Sequence, residues 1–289
     1  MARIRKVVFP VAGLGTRMLP ATKVLPKEML PVVDRPVIQY ALEEAAAAGA
    51  EQFILVTGRG KTIIEDHFDR AYELFDTLDR KAKERELGAL ERGVPAAGSV
   101  VYTRQQEPKG LGHAVWCARH LVGDEPFAVV LVDDLIRGEV PCLKQMFDAH
   151  EETGGNVVAV MEVAQEHTGR YGVITPGETS GRLTEVRGLV EKPKPAEAPS
   201  RLAVIGRYVL LPQVFGHLGE QGAGAGGEIQ LTDAMARLIG ATPFHGLRFE
   251  GRRFDCGDKL GYLEAIVAAA SEREDLKPGF AEMLKRYCR

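Results

Sequence analysis

Short apolar runs and a helix-like periodicity alternate along the first part of the chain. Residues 7–11, VVFPV, have the length and β-branched content of a buried strand, and Pro10 fits at its exit, where no ladder donor is needed. Residues 36–48 predict a helix with proline in its first turn and Gly49 as its C-cap. Residues 52–57 predict the next strand. A strand, a helix and a strand in tight succession predict a parallel sheet with both faces covered, and therefore an α/β fold.

The remainder of the chain continues this alternation. Further strands are predicted at residues 99–104, 127–132, 155–163, 183–189 and 203–211. Helices are predicted at residues 61–70, after Gly110, over residues 228–239 and after Gly257. Residues 74–92 mix acids and bases around sparse leucines, which predicts a solvated helical excursion. The proline-rich residues 192–200 predict a mobile extended loop, the glycine-rich residues 219–228 a flexible one, and the charged tail from Ser271 a helix.

Composition limits the classes of function. The 289 residues can bury a substantial core, and 45% hydrophobic with 27% charged residues is typical of an ordinary globular protein. A net charge of -3 argues against nucleic-acid binding, and no apolar stretch approaches the length of a membrane span. The four cysteines are scattered without a C-x-x-C pair, which favours reduced thiols in a cytoplasmic protein over a zinc site or a disulfide framework.

Positive charge is concentrated at the amino terminus, around a glycine-bearing loop. Residues 1–27 contain six Lys or Arg and no Asp or Glu. The loop from Ala12 to Gly15 follows the first predicted strand, and its glycines would let backbone N–H groups close on phosphate oxygens. The spacing matches neither G-x-G-x-x-G nor G-x-x-x-x-G-K-[ST]. A polyanionic ligand is the natural partner, and an ordinary glycine turn with solvated bases is the alternative.

Two adjacent carboxylates end the most apolar predicted strand. Asp133 and Asp134 follow residues 127–132, at the edge where open α/β sheets place their ligands. Magnesium is commonly bound through one or two carboxylates together with substrate phosphates. The alternative for either residue is a helix or turn cap.

One string of residues resembles a known family. The pattern G-x-G-T-R-x-x-P-x-T, followed by P-K, L-P-V and D-R-P-V-I, resembles the signature of the sugar-1-phosphate nucleotidylyltransferases. The run LPKEMLPVVDRPVIQYALEEA looks most like bacterial members that act on UTP and glucose 1-phosphate. The resemblance spans Val7 to about Ala270 and is densest before Tyr40. It implies a three-layer, Rossmann-like α/β nucleotidyltransferase fold with a mainly parallel mixed sheet.

The resemblance also implies an organisation for the chain. It would be a single nucleotidyltransferase domain over residues 1–289, with a nucleotide-binding half at 1–134, a sugar-binding half at 135–270 and a helical tail at 271–289. A homo-oligomer, either a dimer or a tetramer, is usual for such enzymes.

Site roles follow from the resemblance, residue by residue. Arg17 and Lys27 would be catalytic, with Asp133 and Asp255 holding Mg²⁺; for Asp255 a helix-start cap is the alternative. The nucleotide would contact Ala12, Gly13, Leu14, Gly15, Glu28, Gln105 and Gly110. The sugar phosphate would contact Gly172, Glu191, Lys192 and Gly206. The side chains are suited to these roles. The Gln105 amide can both donate to and accept from a pyrimidine edge, and the Lys192 ammonium is a compact charge for a phosphate. His113 is interpreted as a packing or capping residue.

The implied reaction is transfer of a uridylyl group from UTP to glucose 1-phosphate, giving UDP-glucose and pyrophosphate. A magnesium-assisted in-line attack on the α-phosphorus needs no protein nucleophile, because the attacking phosphate is already ionised. Two alternatives stay open. One is another substrate pair, such as dTTP with glucose 1-phosphate, because no residue reports by its chemistry on a ribose 2′-hydroxyl. The other is a non-catalytic regulator that binds a nucleotide sugar.

Overall fold

A nine-stranded mixed sheet runs through the computed structural model, which describes residues 3–220, 222 and 227–287. The strands are β1 Lys6–Pro10, β2 Pro31–Val32, β3 Arg35–Pro36, β4 Gln52–Thr57, β5 Val100–Arg104, β6 Phe127–Val130, β7 Asp134–Arg137, β8 Asn156–Glu162, β9 Gly172–Ser180, β10 Leu183–Glu191, β11 Leu202–Leu210, β12 Phe244–Arg248 and β13 Arg252–Asp255. The helices are α1 Val37–Ala47, α2 Thr62–Phe68, α3 Tyr72–Arg80, α4 Glu84–Gly93, α5 Leu111–Cys117, α6 Arg119–Val122, α7 Cys142–Thr153, α8 Val214–Glu220, α9 Leu231–Ala236, α10 Lys259–Glu272 and α11 Lys277–Tyr287.

The sheet has a parallel part and a mixed part, which meet at its centre. Its strand order is β5-β4-β1-β6-β11-β8-β12-β10-β9, and the first four strands are parallel. Strand β11 pairs antiparallel with both β6 and β8, and β12 is parallel to β8 but antiparallel to β10. The predicted α/β class with a mixed sheet is confirmed, and its parallel part is the part that carries the glycine loop.

Helices cover both faces of the sheet. Along β1, Val7 and Phe9 join one apolar cluster and Val8 joins the other, because successive side chains of a strand point to opposite faces. Helices α1, α7 and α10 contribute buried residues to the first cluster. Helices α5, α8 and α9 contribute to the second. The result is the predicted three-layer arrangement, with apolar strands between two layers of helix.

Several predicted boundaries differ from the structure. The strand predicted at residues 127–132 ends at Val130, because a turn begins at Leu131 and closes with a hydrogen bond from the Asp134 amide to the Leu131 carbonyl. The single excursion predicted over residues 74–92 is two helices, α3 and α4. Strands β2, β3, β7, β9, β12 and β13 and helix α7 were not predicted. The glycine-rich stretch predicted to be flexible lies partly outside the described residues.

No helix within the described ranges combines the length and the apolar character that crossing a membrane requires. Cys117, Cys142 and Cys256 are free thiols, and burial raises the pKa of Cys256 to about 12. Cys288 lies outside the described residues.

Candidate active site

Three strand exits meet at the carboxyl edge of the parallel strands. The Val11 amide donates to the Val56 carbonyl at 3.0 Å, and the Gln105 amide donates to the Thr57 carbonyl at 2.8 Å. These two hydrogen bonds extend the parallel strand pairing by one residue beyond the ends of β1 and β5. A methyl group on Gly58 would lie 3.2 Å from the Ala12 carbonyl oxygen, so the β4 exit packs directly against the glycine loop. The predicted phosphate loop and the predicted base contact therefore share one edge.

The glycine loop presents unused backbone donors. Gly15 has φ +66, and Thr22 Oγ1 donates to its carbonyl at 2.7 Å, which fixes the turn. A methyl group on Gly13 would meet nothing within 4 Å, so the loop faces open space there. The amides of residues 12–15 donate to no acceptor within the described part of the chain. These N–H groups are available to an anion.

A cluster of opposite charges forms where the loop meets the end of β6. Lys27 Nζ lies 2.5 Å from Asp133 Oδ2, and Arg17 Nη2 lies 3.8 Å from the same oxygen. Burial alone would raise the pKa of Asp133, but Lys27 and Arg17 outweigh it and the pKa is lowered. Burial likewise opposes the charge of Lys27, and Asp133 and Glu28 more than compensate, so the Lys27 pKa is raised. Both groups are therefore fully charged near neutral pH.

Asp133 and Asp255 converge on a space beside Gly257. A methyl group on Gly257 would lie 2.8 Å from Asp133 Oδ2, 2.8 Å from Arg17 Nη2 and 3.2 Å from Asp255 Oδ1. A side chain at position 257 would fill the space between these two carboxylates. Such a pair suits a divalent ion that takes its other ligands from phosphates and water. No group of three or more His, Cys, Asp or Glu residues arranged to hold a metal occurs within the described ranges. Asp133 and Asp255 alone would leave most ligand positions of a divalent ion to substrate phosphates and water.

Arg253 joins the acids into one network and was missed by sequence reasoning. Its Nε donates to Asp134 Oδ1 at 2.6 Å, its Nη2 lies 3.5 Å from Asp255 Oδ2, and its Nη1 donates to Tyr171 Oη at 3.1 Å. Burial raises the pKa of Asp134 despite the opposing charge of Arg253. Arg253 stands two residues before Asp255 on β13, which pairs with β7. That pairing, rather than any local pattern, brings it to Asp134.

A buried ion pair supports the turn that carries Asp133. Arg207 is fully buried, and its Nη2 lies 2.7 Å from Glu44 Oε2 on α1. Its Nη1 donates to the carbonyls of Leu131 and Gly206, both at 3.0 Å. The Leu131 amide in turn donates to the Gly206 carbonyl at 2.8 Å. Helix α1, strand β11 and the turn at Leu131 are thereby held as one unit.

The predicted sugar contacts lie on the antiparallel side of the site. Gly172 and Glu191 are paired across β9 and β10, and Thr232 Oγ1 donates to Glu191 Oε2 at 2.7 Å. Lys192 Nζ lies 3.5 Å from Glu191 Oε1, and its side chain is 57% exposed. The Gly206 amide donates to Asp134 Oδ2 at 2.9 Å. Thr232 was not predicted as a site residue; its place near the start of a helix was the only sequence signal.

The predicted base contacts lie on the opposite side, beside β4 and β5. Glu28 is 2% exposed and its Oε2 lies 2.7 Å from Lys61 Nζ, while its Oε1 is buried without a hydrogen-bond partner among the described residues. Gln105 Nε2 donates to the Gly110 carbonyl at 3.0 Å. Lys61 was missed by sequence reasoning, since a lysine just after a strand gives no signal that it is buried.

The structure thus brings Arg17, Lys27, Asp133 and Asp255 to one place, between the base-side and sugar-side groups. Asp134 and Arg253 connect this cluster to Gly206 and Tyr171. Within the described residues, Lys192 forms an ion pair with Glu191 and none with the Asp133 cluster.

Comparison with known proteins identifies related sequences and structures over most of the chain. A model of the nucleotidyl transferase family matches residues 6–272. A UTP–glucose-1-phosphate uridylyltransferase of Komagataeibacter xylinus is 53% identical over 257 residues, covering 89% of this chain and 90% of that protein. A UTP-bound UGPase from Acinetobacter baumannii superposes with a TM-score of 0.90 at 41% identity, covering 97% of this chain and 98% of that one. A UDP-glucose pyrophosphorylase complexed with UDP-glucose superposes with a TM-score of 0.86 at 43% identity, covering 93% and 100%.

Proposed function

The chain belongs to the nucleotidyl transferase family and is a nucleotidyltransferase, and from that premise we propose that it transfers the uridylyl group of UTP to glucose 1-phosphate, forming UDP-glucose and pyrophosphate. The observation that carries this proposal is the convergence of Arg17, Lys27, Asp133 and Asp255 around the space beside Gly257. Relatives that carry the same activity in their names, at about half identity over most of the chain, support it.

Electrostatics explains why this cluster suits two phosphate substrates. Like charges a few ångströms apart repel by about 4 kcal/mol per unit pair at a surface-like dielectric. Arg17 would neutralise the triphosphate and the leaving pyrophosphate, and Lys27 with Lys192 would orient the sugar phosphate oxygen for in-line attack on the α-phosphorus. Magnesium, held by Asp133 and Asp255 together with substrate phosphates, would supply further charge neutralisation. No protein nucleophile is needed, because positioning and charge stabilisation can carry the rate.

The other predicted residues take roles on either side of the phosphates. The open amides of Ala12, Gly13, Leu14 and Gly15 would receive phosphate oxygens. Gln105, Gly110 and Glu28 would meet the nucleotide. Glu191 would accept hydrogen bonds from sugar hydroxyls, with Gly172 and Gly206 leaving room for the sugar.

The identity of the two substrates can be tested directly by pyrophosphate release. Pyrophosphate release should be measured over a grid of UTP, dTTP, CTP and ATP against glucose 1-phosphate and other sugar 1-phosphates, with magnesium present. We expect the highest rate with UTP and glucose 1-phosphate. A higher rate with dTTP would favour a thymidylyltransferase, and no release with any pair would favour a nucleotide-sugar-binding regulator.

Replacing Lys27 by alanine tests the assigned chemistry. Lys27→Ala removes the cation nearest Asp133, and we expect kcat/KM to fall by about a hundredfold or more, as when one preorganised transition-state contact is lost. Lys23→Ala is the matched control, because Lys23 is an exposed base in the same segment. Lys23→Ala should stay within a few-fold of wild type. Equal activity of the two variants would refute the role of Lys27.

We further propose that the chain forms one nucleotidyltransferase domain and assembles into a homo-oligomer. We also propose that it acts in the cytoplasm and supplies UDP-glucose for polysaccharide synthesis. Family resemblance supports the first two points, and the scattered free thiols support the location. Light scattering of the purified protein tests the oligomeric state.

A further inference from the structure

The amide of Gln105 is locked in one orientation by two acceptors. Gln105 is 7% exposed, and its Nε2 donates at 3.0 Å to the Gly110 carbonyl and at 3.0 Å to His113 Nδ1. A backbone carbonyl can only accept, so the side-chain atom beside it must be the amide nitrogen. The two N–H groups of Gln105 are thus both used inside the protein.

The amide oxygen is the part of Gln105 that remains available. No residue within the described ranges donates a hydrogen bond to Oε1. A side chain held in this way offers a ligand an acceptor and withholds its donors. On a pyrimidine edge, uracil and thymine carry an N3–H donor, whereas N3 of cytosine is an acceptor.

We propose that His113 is a positioning residue for base selectivity: its unprotonated Nδ1 holds the Gln105 amide so that Oε1 faces the N3–H of a uracil or thymine base and disfavours cytosine. This inference rests on the proposed function, in which Gln105 meets the base. It gives His113, interpreted from sequence as a packing or capping residue, a specific role in choosing the nucleotide.

The surroundings of His113 keep it in the required form. In neutral imidazole an accepting Nδ1 leaves the proton on Nε2, which lies 4.0 Å from Cys117 Sγ. The ring stacks on Trp116, with centroids 5.9 Å apart. The charged groups that face His113 are Lys109, Arg119 and Glu107, and Arg104 lines the same cleft. Burial and then Lys109 lower the pKa of His113, Glu107 partly opposes them, and Arg119 lowers the pKa slightly further.

Protonation of His113 would break the arrangement. The new N–H on Nδ1 would point at an N–H of Gln105, placing two donors together. Rotation of the Gln105 amide would relieve that clash only by giving up the bond to Gly110, and it would turn N–H groups toward the base. Selectivity for UTP over CTP should therefore fall as the pH drops below the pKa of His113.

Two variants separate this role from simple packing. In His113→Asn the Oδ1 atom occupies the place of Nδ1 and accepts without titrating, whereas His113→Leu keeps the bulk and removes the acceptor. Equilibrium binding of UTP and of CTP should be measured by calorimetry for the wild type and both variants between pH 5.5 and 8. The KM and kcat for UTP should be measured over the same range.

We expect His113→Leu to narrow the UTP-to-CTP affinity ratio by about ten- to a hundredfold, because a buried donor loses its partner, and to raise KM for UTP with kcat within a few-fold of wild type. His113→Asn should keep the ratio and remove its fall at acid pH. An unchanged ratio in His113→Leu, or equal weakening of both nucleotides, would overturn the proposal.

Binding and turnover distinguish this inference from the proposed function. If the wild type binds UTP selectively but releases no pyrophosphate with glucose 1-phosphate, the proposed reaction is wrong while the binding ratios still decide the role of His113. If the wild type binds UTP and CTP equally, the inference about His113 is wrong whatever the turnover. Circular dichroism and a melting curve for each variant exclude loss of folding as the cause.

Discussion

The point where a methyl group on Gly257 would sit lies within 3.2 Å of two carboxylates and one guanidinium. Arg17 is an exposed side chain that can move aside, but Asp133 is held by Lys27 at 2.5 Å. A side chain at this position would therefore displace the proposed metal ligands or fill the space between them, without disturbing the core.

Gly257→Ala is accordingly expected to cost activity rather than stability. We expect kcat/KM to fall by about a hundredfold, as when reacting groups are misplaced by about an ångström, with little change in melting temperature. The control is Gly216→Ala on α8, where an added methyl would meet nothing within 4 Å; it should leave activity intact and stabilise its helix slightly. Full activity of Gly257→Ala with an unchanged magnesium requirement would show that this space is not the metal site.

Single residues differ in how far the sequence could predict them. The sequence could suggest that Arg17, Lys27 and Asp133 lie close together, because they stand at fixed spacings in recognisable strings. It could not suggest Lys61 or Arg253, because each is positioned by a partner far along the chain: Glu28 is 33 residues from Lys61, and Asp134 is 119 residues from Arg253. Local patterns carry no information on such pairs.

At the scale of secondary-structure elements, the contact between α1 and β11 sets the position of the Asp133 turn. The Arg207–Glu44 pair is nearly inaccessible to solvent on both sides, and Arg207 also holds the Leu131 and Gly206 carbonyls. Removing one member of such a pair leaves a buried charge without compensation.

Arg207→Met should lower the free energy of unfolding by about 3–5 kcal/mol, measured by urea denaturation. The double variant Arg207→Met with Glu44→Met should recover a large part of that loss, because neither charge then remains buried alone. Additive losses in the double variant would mean that the two side chains stabilise the fold independently. Arg201→Met, which removes a member of an exposed ion pair, should change stability by less than about 1 kcal/mol.

The parallel strands followed the sequence pattern more closely than the antiparallel ones. Strand β4 matches its predicted range, since an apolar run between two turns has few alternatives. The β9–β10 hairpin has register shifts between Thr184 and Val186 and between Val186 and Gly188, which break the alternation on which strand prediction depends. Strands β7 and β13 span four residues each and pair across a long stretch of chain, so neither gave a signal of its own.

For the whole molecule, the site lies where the parallel and antiparallel parts of the sheet meet, and a ligand there would contact elements from both. The layered α/β class could be predicted from strand and helix alternation, but the strand order could not. Neighbours such as β6 and β11 are far apart in sequence, and nothing local specifies that they pair.

Ligand binding at this junction should stabilise the entire fold. UTP with magnesium at about a hundredfold excess over Kd is expected to add about 2.7 kcal/mol to the free energy of unfolding, seen as a rise in melting temperature. Chelation of the metal should reduce the shift. In the double variant Asp133→Asn with Asp255→Asn, the magnesium-dependent part of the shift should disappear. A shift in that variant that still depends on magnesium would place the metal elsewhere.

The two lysines proposed for the sugar phosphate differ in freedom before the substrate arrives. Lys27 has a side chain 21% exposed and is already fixed on Asp133, whereas Lys192 is 57% exposed and meets its neighbour Glu191 at 3.5 Å. Ordering a lysine side chain costs up to about 2 kcal/mol, and that cost falls on Lys192 at the moment of binding. The Lys27 side chain is thus positioned before a substrate binds, whereas the Lys192 side chain would become ordered only on binding. If both lysines bind the sugar phosphate as proposed, the Lys192 end of the cleft would adjust to sugars of different shape, while the Lys27 end would keep its geometry.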